Sequence, residues 1–241
     1  MAKLYVIGTP IGNLGDMTFR AVETLKNVDY VAAEDTRHTL QLLNHFEIKK
    51  PLISCRAQNE KFASENIIKL LNEGHDVAYA SDAGTPGVSD PGAVLALNVR
   101  KAGYKVTPIP GASAFATLVS IAGAGGKTII FEGFLSPKPG RRRKRLKELM
   151  ETNAAIVLYE SPYRILKLLT DIADIDSERR IVVGRELTKL HEEINDGKAA
   201  DVLADYSSRA KILGEFAVFI AGNSNKNAKL FEENSDNISE A

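Results

Sequence analysis

Glycine, proline and acidic residues gather in four stretches of this chain, each directly after a short apolar run. They are Gly8-Thr9-Pro10-Ile11-Gly12-Asn13-Leu14-Gly15-Asp16, Ala33-Glu34-Asp35-Thr36-Arg37-His38-Thr39, Ser81-Asp82-Ala83-Gly84-Thr85-Pro86-Gly87-Val88-Ser89-Asp90-Pro91-Gly92 and Pro110-Gly111-Ala112-Ser113-Ala114. If the preceding runs are parallel strands, these loops lie at the strand carboxyl ends, where open α/β sheets bind ligands. Turns use Gly, Pro, Asp and Ser for conformational reasons alone, so one such loop says little. Four together, the third nearly twice the usual length of about 2–6 residues, outline a crevice. His38 is chemically the simplest proton acceptor in these loops, since a free imidazole titrates near about 6.5. It can equally be an exposed histidine at a helix start, with Asp35 or Thr36 as the cap and Arg37 in a surface ion pair.

Other chemistries are excluded. No G-x-G-x-x-G follows a strand-like run, so the usual dinucleotide fingerprint is missing. Gly123-Ala124-Gly125-Gly126-Lys127-Thr128 imitates a phosphate loop, but Ile121 stands where its first glycine belongs and Ile129-Ile130-Phe131 continues as a strand. The one cysteine, Cys55, can form neither an intrachain disulfide nor a Cys-rich zinc site. That fits a reducing, cytosolic setting, and no metal is expected.

A second feature is electrostatic. Lys138, Arg141, Arg142, Arg143, Lys144, Arg145 and Lys147 follow one another with no acid among them, across a Pro139-Gly140 turn and a helix start. Cations at a helix N-terminus oppose its dipole, so the cluster calls for a counter-charge. A phosphate backbone would supply it, which predicts RNA contact without base reading; a solvated helix face is the alternative. The whole chain balances 31 basic against 31 acidic residues. Neutrality is therefore a cancellation between this segment and a mildly acidic remainder.

The elements that must position these residues read as α/β. With 241 residues, 44% hydrophobic and 26% charged, the composition is that of a soluble globular protein of one large or two small domains. The first half alternates strands at 3–8, 30–34, 51–54, 76–81 and 105–109 with helical patterns at 18–26, 36–46, 60–72 and 92–102, as stacked βα units do. After a small-residue helix following Pro110, strands at 128–132, 154–159, 179–184 and 215–221 alternate with helices near 141–151, 162–173 and 198–206. These patterns predict an N-terminal α/β domain over 1–112, a second over 113–222 and a frayed tail at 223–241. The uncharged run 106–126 has the length of a membrane span, but Pro108, Pro110, Gly111, Gly123, Gly125 and Gly126 break it at both ends. The apolar run at the N-terminus is too short for a signal peptide.

The four loops, with Glu132-Gly133-Phe134-Leu135, Tyr159-Glu160-Ser161-Pro162, Gly184-Arg185-Glu186-Leu187-Thr188-Lys189 and Gly214-Glu215-Phe216, resemble the ribosomal RNA small-subunit methyltransferase I family. The matching blocks run in order from about residue 3 to residue 222. The resemblance implies a tetrapyrrole-methylase fold of two α/β domains with S-adenosylmethionine in the cleft between them, as a cytoplasmic homodimer. It further implies methyl transfer to the ribose 2′-hydroxyl of a cytidine in the decoding region of 16S ribosomal RNA, with the small ribosomal subunit as partner. By resemblance the cofactor meets Pro10, Asp82, Ala83, Gly84, Thr85, Ser113, Ala114, Tyr159, Leu187 and Gly214. Asp82 can accept from ligand hydroxyl or ammonium groups, or merely fix the turn before Gly84.

A 2′-hydroxyl is a weak nucleophile, so a proton acceptor or a nearby cation should help it. Candidates near the strand ends are Asp35, Arg37, His38, Glu160 and Lys189, with Glu60 and Glu186 beside them. Arg185, Glu186 and Lys189 can clamp ribose and phosphate, or pair with one another at helical spacing. The chain departs from the family at Cys55-Arg56-Ala57-Gln58, where the usual Tyr-His-Glu-His is replaced, and at Tyr163, which stands for a usual histidine. Neither imidazole can then be the base here. Leu-Pro-Thr-Asp before the 128 strand is replaced as well, and many members carry a longer C-terminal extension. A methylase of a tetrapyrrole or other small molecule, and a non-catalytic RNA-binding protein, are the competing readings.

Overall fold

The computed structural model describes residues 2–123 and 127–223. The expected tail from residue 224 and three residues of the glycine run, 124–126, lie outside the described residues. The chain divides into two compact units, the first ending at Ala114 and the second beginning at Phe115.

The first unit is a doubly wound βα array. Strands β1 (Lys3–Ile7), β2 (Tyr30–Ala33), β3 (Leu52–Ser54), β4 (Val77–Ala80) and β5 (Lys105–Ile109) form one parallel sheet in the order β3-β2-β4-β1-β5. Helices α1 (Phe19–Asn27), α2 (Thr36–His45), α3 (Glu60–Asn72) and α4 (Ala93–Lys101) alternate with them. Because neighbouring strand residues point to opposite faces, Val77 and Tyr79 join the core under α3 and α4 with Ile67, Leu71, Leu95 and Val99. Ala78 joins the opposite core with Leu25 of α1 and Leu43 of α2. A sheet covered on both faces explains why β4 is buried at every position.

Helix α5 (Ala114–Ile121) follows, and then the second sheet: β6 (Ile129–Phe134), β7 (Ala155–Glu160), β8 (Arg180–Arg185), β9 (Glu193–Lys198) and β10 (Phe216–Ile220), ordered β6-β7-β10-β8-β9. Among the described residues of this sheet only β6 and β7 are parallel; β10 runs antiparallel to β7 and β8, and β9 to β8. Helices α6 (Pro139–Met150), α7 (Ile165–Ile175) and α8 (Ala199–Ser208) bury Leu146, Leu149, Leu168, Leu169, Ile172, Val202 and Tyr206 against Ile156, Leu158, Ile181, Val183 and Val218 of the sheet.

Strand β9 was not expected from the sequence. Glu193-Ile194-Asn195-Asp196-Gly197-Lys198 has the composition of a turn, but it is an edge strand held by cross-strand charges. Arg180 of β8 meets Asp196 at 2.6 Å and Arg185 meets Glu193 at 3.1 Å. Expected helix ends moved by as much as three residues, most at α7, whose start is preceded by a turn through Tyr163 and Arg164.

Candidate functional site

The first sheet sets β2, β4, β1 and β5 side by side and parallel, so all four glycine- and acid-rich loops leave one edge in a row. Hydrogen bonds tie three of them together. Thr9 and Gly84 exchange N–H···O bonds of 2.9 and 3.2 Å, and Thr85 Oγ1 donates to Ala112 O at 3.1 Å. Gly8 and Gly111 pack main chain on main chain: a Cβ on Gly8 would lie 2.7 Å from Gly111 N, so both positions demand glycine. Gly84 is buried, whereas Pro10, Asp82, Thr85, Ser113 and Ala114 are half-buried and Ala83 is exposed. The expected cofactor residues of this unit thus share one strand edge.

Two acids meet on that edge. Asp82 Oδ1 accepts the Asp35 N–H at 2.8 Å. Burial pushes the Glu34 carboxyl up, the adjacent Asp82 charge pushes it further, and the Asp82 N–H opposes both. Nothing local in the sequence marks Glu34. It becomes visible only when β2 and β4, which are not consecutive, pair in register at Ala33 and Ala80.

Several proton-transfer candidates have other work. Asp35 caps α2, taking the Arg37 N–H at 2.9 Å and the Arg37 guanidinium at 2.8 and 3.2 Å. Those bonds hold its carboxyl well below the usual range and raise Arg37, so the capping alternative describes this pair and Asp35 is a poor base. Glu60 is buried and caps α4, its Oε1 accepting the N–H groups of Gly92 at 2.8 Å and Leu95 at 2.9 Å. His38 is exposed in the first turn of α2.

In the second unit, strand register collects the remaining expected residues. Phe216 lies opposite both Glu160 and Arg185, so the end of β7, the end of β8 and the start of β10 form one edge. Tyr159, Leu187 and Gly214 all sit there. The Tyr159 hydroxyl accepts the Phe115 N–H at 2.8 Å, and its ring packs on Phe131 and Phe134. Leu187 is buried over Gly184, where a Cβ would come within 2.9 Å of it. Gly214 has φ +98 and lies against Glu186, whose own φ is +51.

Glu160 and Lys189, expected as proton acceptor or nearby cation, are each engaged by charged partners. Glu160 is 2% exposed, takes the Ser161 N–H at 2.8 Å and pairs with Arg164 at 2.9 Å. Lys189 is held between Glu186 at 3.0 Å and Glu215 at 2.7 Å. Burial alone would lower the Lys189 ammonium, but the two carboxylates outweigh it and the group is raised. For Glu186, burial would raise the carboxyl, and the Glu215 N–H with Lys189 outweighs it and lowers the group. Pairing with one another is what Glu186 and Lys189 do.

The basic segment forms α6, with Lys138 as its N-cap residue. Its counter-charge comes partly from the protein itself. Arg142 turns inward, 4% exposed, and meets Asp171 at 2.6 Å; it has no surface to offer RNA. Arg143 pairs with Asp174 at 2.9 Å and Arg145 with Glu132 at 2.7 Å. Lys138, Arg141, Lys144 and Lys147 are exposed and make no ion pair among the described residues. No group of three or more His, Cys, Asp or Glu that could hold a metal ion occurs among the described residues.

This architecture of two α/β units is shared with solved structures. The methyltransferase CobJ superposes with TM-score 0.69 at 17% identity, covering 92% of this chain and 95% of that one. A uroporphyrin-III-C-methyltransferase from Thermus thermophilus gives 0.63 at 19% identity, covering 92% and 94%. Residues 3–203 match the sequence model of the Tetrapyrrole (Corrin/Porphyrin) Methylases. A "Ribosomal RNA small subunit methyltransferase I" of Borrelia garinii subsp. bavariensis is 45% identical, covering 92% of this chain and 99% of its own. A protein of the same name from Thermotoga maritima is 46% identical with the same coverage. The chain belongs to the ribosomal RNA small subunit methyltransferase I family within the tetrapyrrole methylases, and it is a methyltransferase.

Proposed function

We propose that this protein transfers a methyl group from S-adenosylmethionine to the ribose 2′-hydroxyl of a cytidine in the decoding region of 16S ribosomal RNA. The observation that carries the cofactor assignment is the juxtaposed Glu34 and Asp82 beside the joined loops after β1, β4 and β5. Two carboxylates complement a cationic ligand and can accept from its hydroxyl and ammonium groups, which fits the cofactor's chemistry. Relatives at 45% and 46% identity, named for small-subunit ribosomal RNA, support the substrate.

Bound S-adenosylmethionine supplies an electrophilic methyl group. The protein's share is to hold the acceptor oxygen in line and to take its proton. Glu34 is the preferred proton acceptor, because burial and Asp82 make its carboxylate more basic than an ordinary one. His38, exposed in the first turn of α2, is the second candidate. Asp82 orients ligand through the oxygen that Asp35 leaves free. Pro10, Ala83, Gly84, Thr85, Ser113 and Ala114 bind cofactor beside it; Tyr159, Leu187 and Gly214 contribute from the second unit. The reading includes a cytoplasmic homodimer, as the resemblance implies, and sedimentation tests the assembly.

The functional test is incubation with methyl-labelled S-adenosylmethionine and small ribosomal subunits. Label in 16S RNA is expected. Label confined to a porphyrinoid offered in parallel would overturn the assignment.

A further inference from the structure

The second unit carries a surface that adjoins the expected cofactor residue Tyr159 and extends beyond it. It lies where β6 and β7, neighbours in register at Phe134 and Tyr159, end together. Arg164 fastens the two strand ends: its guanidinium meets the Glu160 carboxylate at 2.9 Å and donates to the Leu135 carbonyl at 2.7 Å. The residue before Arg164 and the residue before Leu135 are exposed aromatics, Tyr163 at 88% and Phe134 at 56%. The Phe134 ring is braced edge-on by Tyr159 at 5.8 Å. Neither position suits a ring by burial: a Tyr almost wholly in water contributes little to a core.

Four residues beyond Phe134 the chain reaches Lys138 and enters α6, at most about 14 Å of extended chain away. The ion pairs of Arg142, Arg143 and Arg145 leave Lys138, Arg141, Lys144 and Lys147 as the uncompensated charge of this helix. Leu146, Leu149 and Met150 with Arg142 mark the inward face, so Arg141, Lys144 and Lys147 project on the outward one.

We propose that this surface binds a single-stranded RNA segment, with bases stacked on Tyr163 and Phe134 and phosphates met by Lys138, Arg141, Lys144 and Lys147. The combination of exposed rings and an adjoining row of free cations selects a single strand, because a duplex keeps its bases stacked on one another and offers phosphates alone. The proposal rests on the RNA substrate read above and deepens it by placing the strand on the β6–β7 end and the outward face of α6. The contacts are indifferent to base identity, since every base has a π-face and every nucleotide a phosphate.

The test measures fluorescence anisotropy of a labelled 20-nucleotide single-stranded RNA, and of the matching RNA duplex, across a salt series. Tyr163→Ala is expected to weaken single-strand binding about tenfold, as removal of a stacking ring does, and to leave duplex binding and the salt slope unchanged. Arg141→Ala with Lys144→Ala is expected to reduce the slope of log K against log salt by about 1.4, two phosphates' worth for a single strand. Both variants keep the wild-type calorimetric affinity for S-adenosylmethionine. Unchanged single-strand affinity in both variants, or equal loss on single strand and duplex for Tyr163→Ala, overturns the surface. If the wild type binds neither RNA, labelling of 16S RNA in small subunits by the same preparation tells the two apart. Label without oligonucleotide binding overturns the surface alone, whereas absence of both overturns the RNA reading with it.

Discussion

The Asp82 carboxylate receives the Asp35 N–H at 2.8 Å, so the residue that ends β4 also fixes the first turn of the helix that follows β2. One carboxylate oxygen thereby has a structural duty. Asp82→Asn keeps an acceptor for Asp35 and loses only the charge; Asp82→Ala loses both. Calorimetry should show at least a tenfold loss of S-adenosylmethionine affinity in both variants. Chemical denaturation should show destabilisation of about 1–2 kcal/mol in the alanine variant alone, the cost of one unsatisfied N–H.

Glu34 should carry the acidic limb of the pH profile. Its carboxyl is raised by burial and by Asp82, and a base works only when deprotonated, so kcat/KM should rise with pH through a midpoint above the ordinary 4.5 of a glutamate. Glu34→Gln should cost about 10²–10⁴ in kcat and abolish that limb. A limb that persists in Glu34→Gln and disappears in His38→Ala would assign the proton to the imidazole instead.

Backbone contact between Gly8 and Gly111 predicts a sharp contrast among glycines. Gly8→Ala would put a Cβ 2.7 Å from Gly111 N and should destabilise by about 1–3 kcal/mol or more while weakening cofactor binding, since main chain cannot yield as a side chain can. Gly140→Ala meets nothing within 4 Å in the first turn of α6 and should stabilise by about 0.5–1 kcal/mol. Melting curves of the two variants decide it.

Arg142 should behave as a core residue despite its place among cations. Its side chain is 5% exposed and that of Asp171 7%, so Arg142→Ala leaves the buried carboxylate only its longer 3.5 Å pair with Arg143 and should cost about 3 kcal/mol in urea denaturation. Arg142→Met with Asp171→Leu removes both charges together and should recover most of that loss. RNA affinity of the double variant should match the wild type.

Acid stability should depend on the β9 edge. Glu193 is held to about 2, first by the bond from Arg209, against an ordinary 4.5. A depressed folded value means the contribution is complete above about pH 4.5 and is lost as pH falls toward 2. Glu193→Gln should flatten the acid loss of stability across that window, measured by denaturation at fixed pH values.

What the sequence discloses, and what it hides, follows from the range of the interactions. The βα alternation of the first unit was legible because strand and helix periods are local, and its four loops were found because parallel strands send them to one edge. Strand β9 was hidden because Asn195-Asp196-Gly197 reads as a turn until Arg180 and Arg185 are seen opposite it. Glu34 and Asp82 stand far apart in the chain and meet through the pairing of β2 with β4. The basic run showed its charge and not its partners: Asp171, Asp174 and Glu132 come from other elements and divide the run into structural and free cations. Glu160 and Lys189 are likewise held, Glu160 by Arg164 four residues on and Lys189 by nearby Glu186 and by Glu215, which the fold brings from β10's approach.

The most direct measurement is the position of the transferred methyl group. Small ribosomal subunits are incubated with the protein and labelled S-adenosylmethionine, and the 16S RNA is digested to nucleosides and resolved by mass spectrometry. Label is expected on the ribose of cytidine, as 2′-O-methylcytidine, and is expected to be lost with Glu34→Gln. Label on a base, or on no ribosomal nucleoside while a porphyrinoid is methylated, would contradict it.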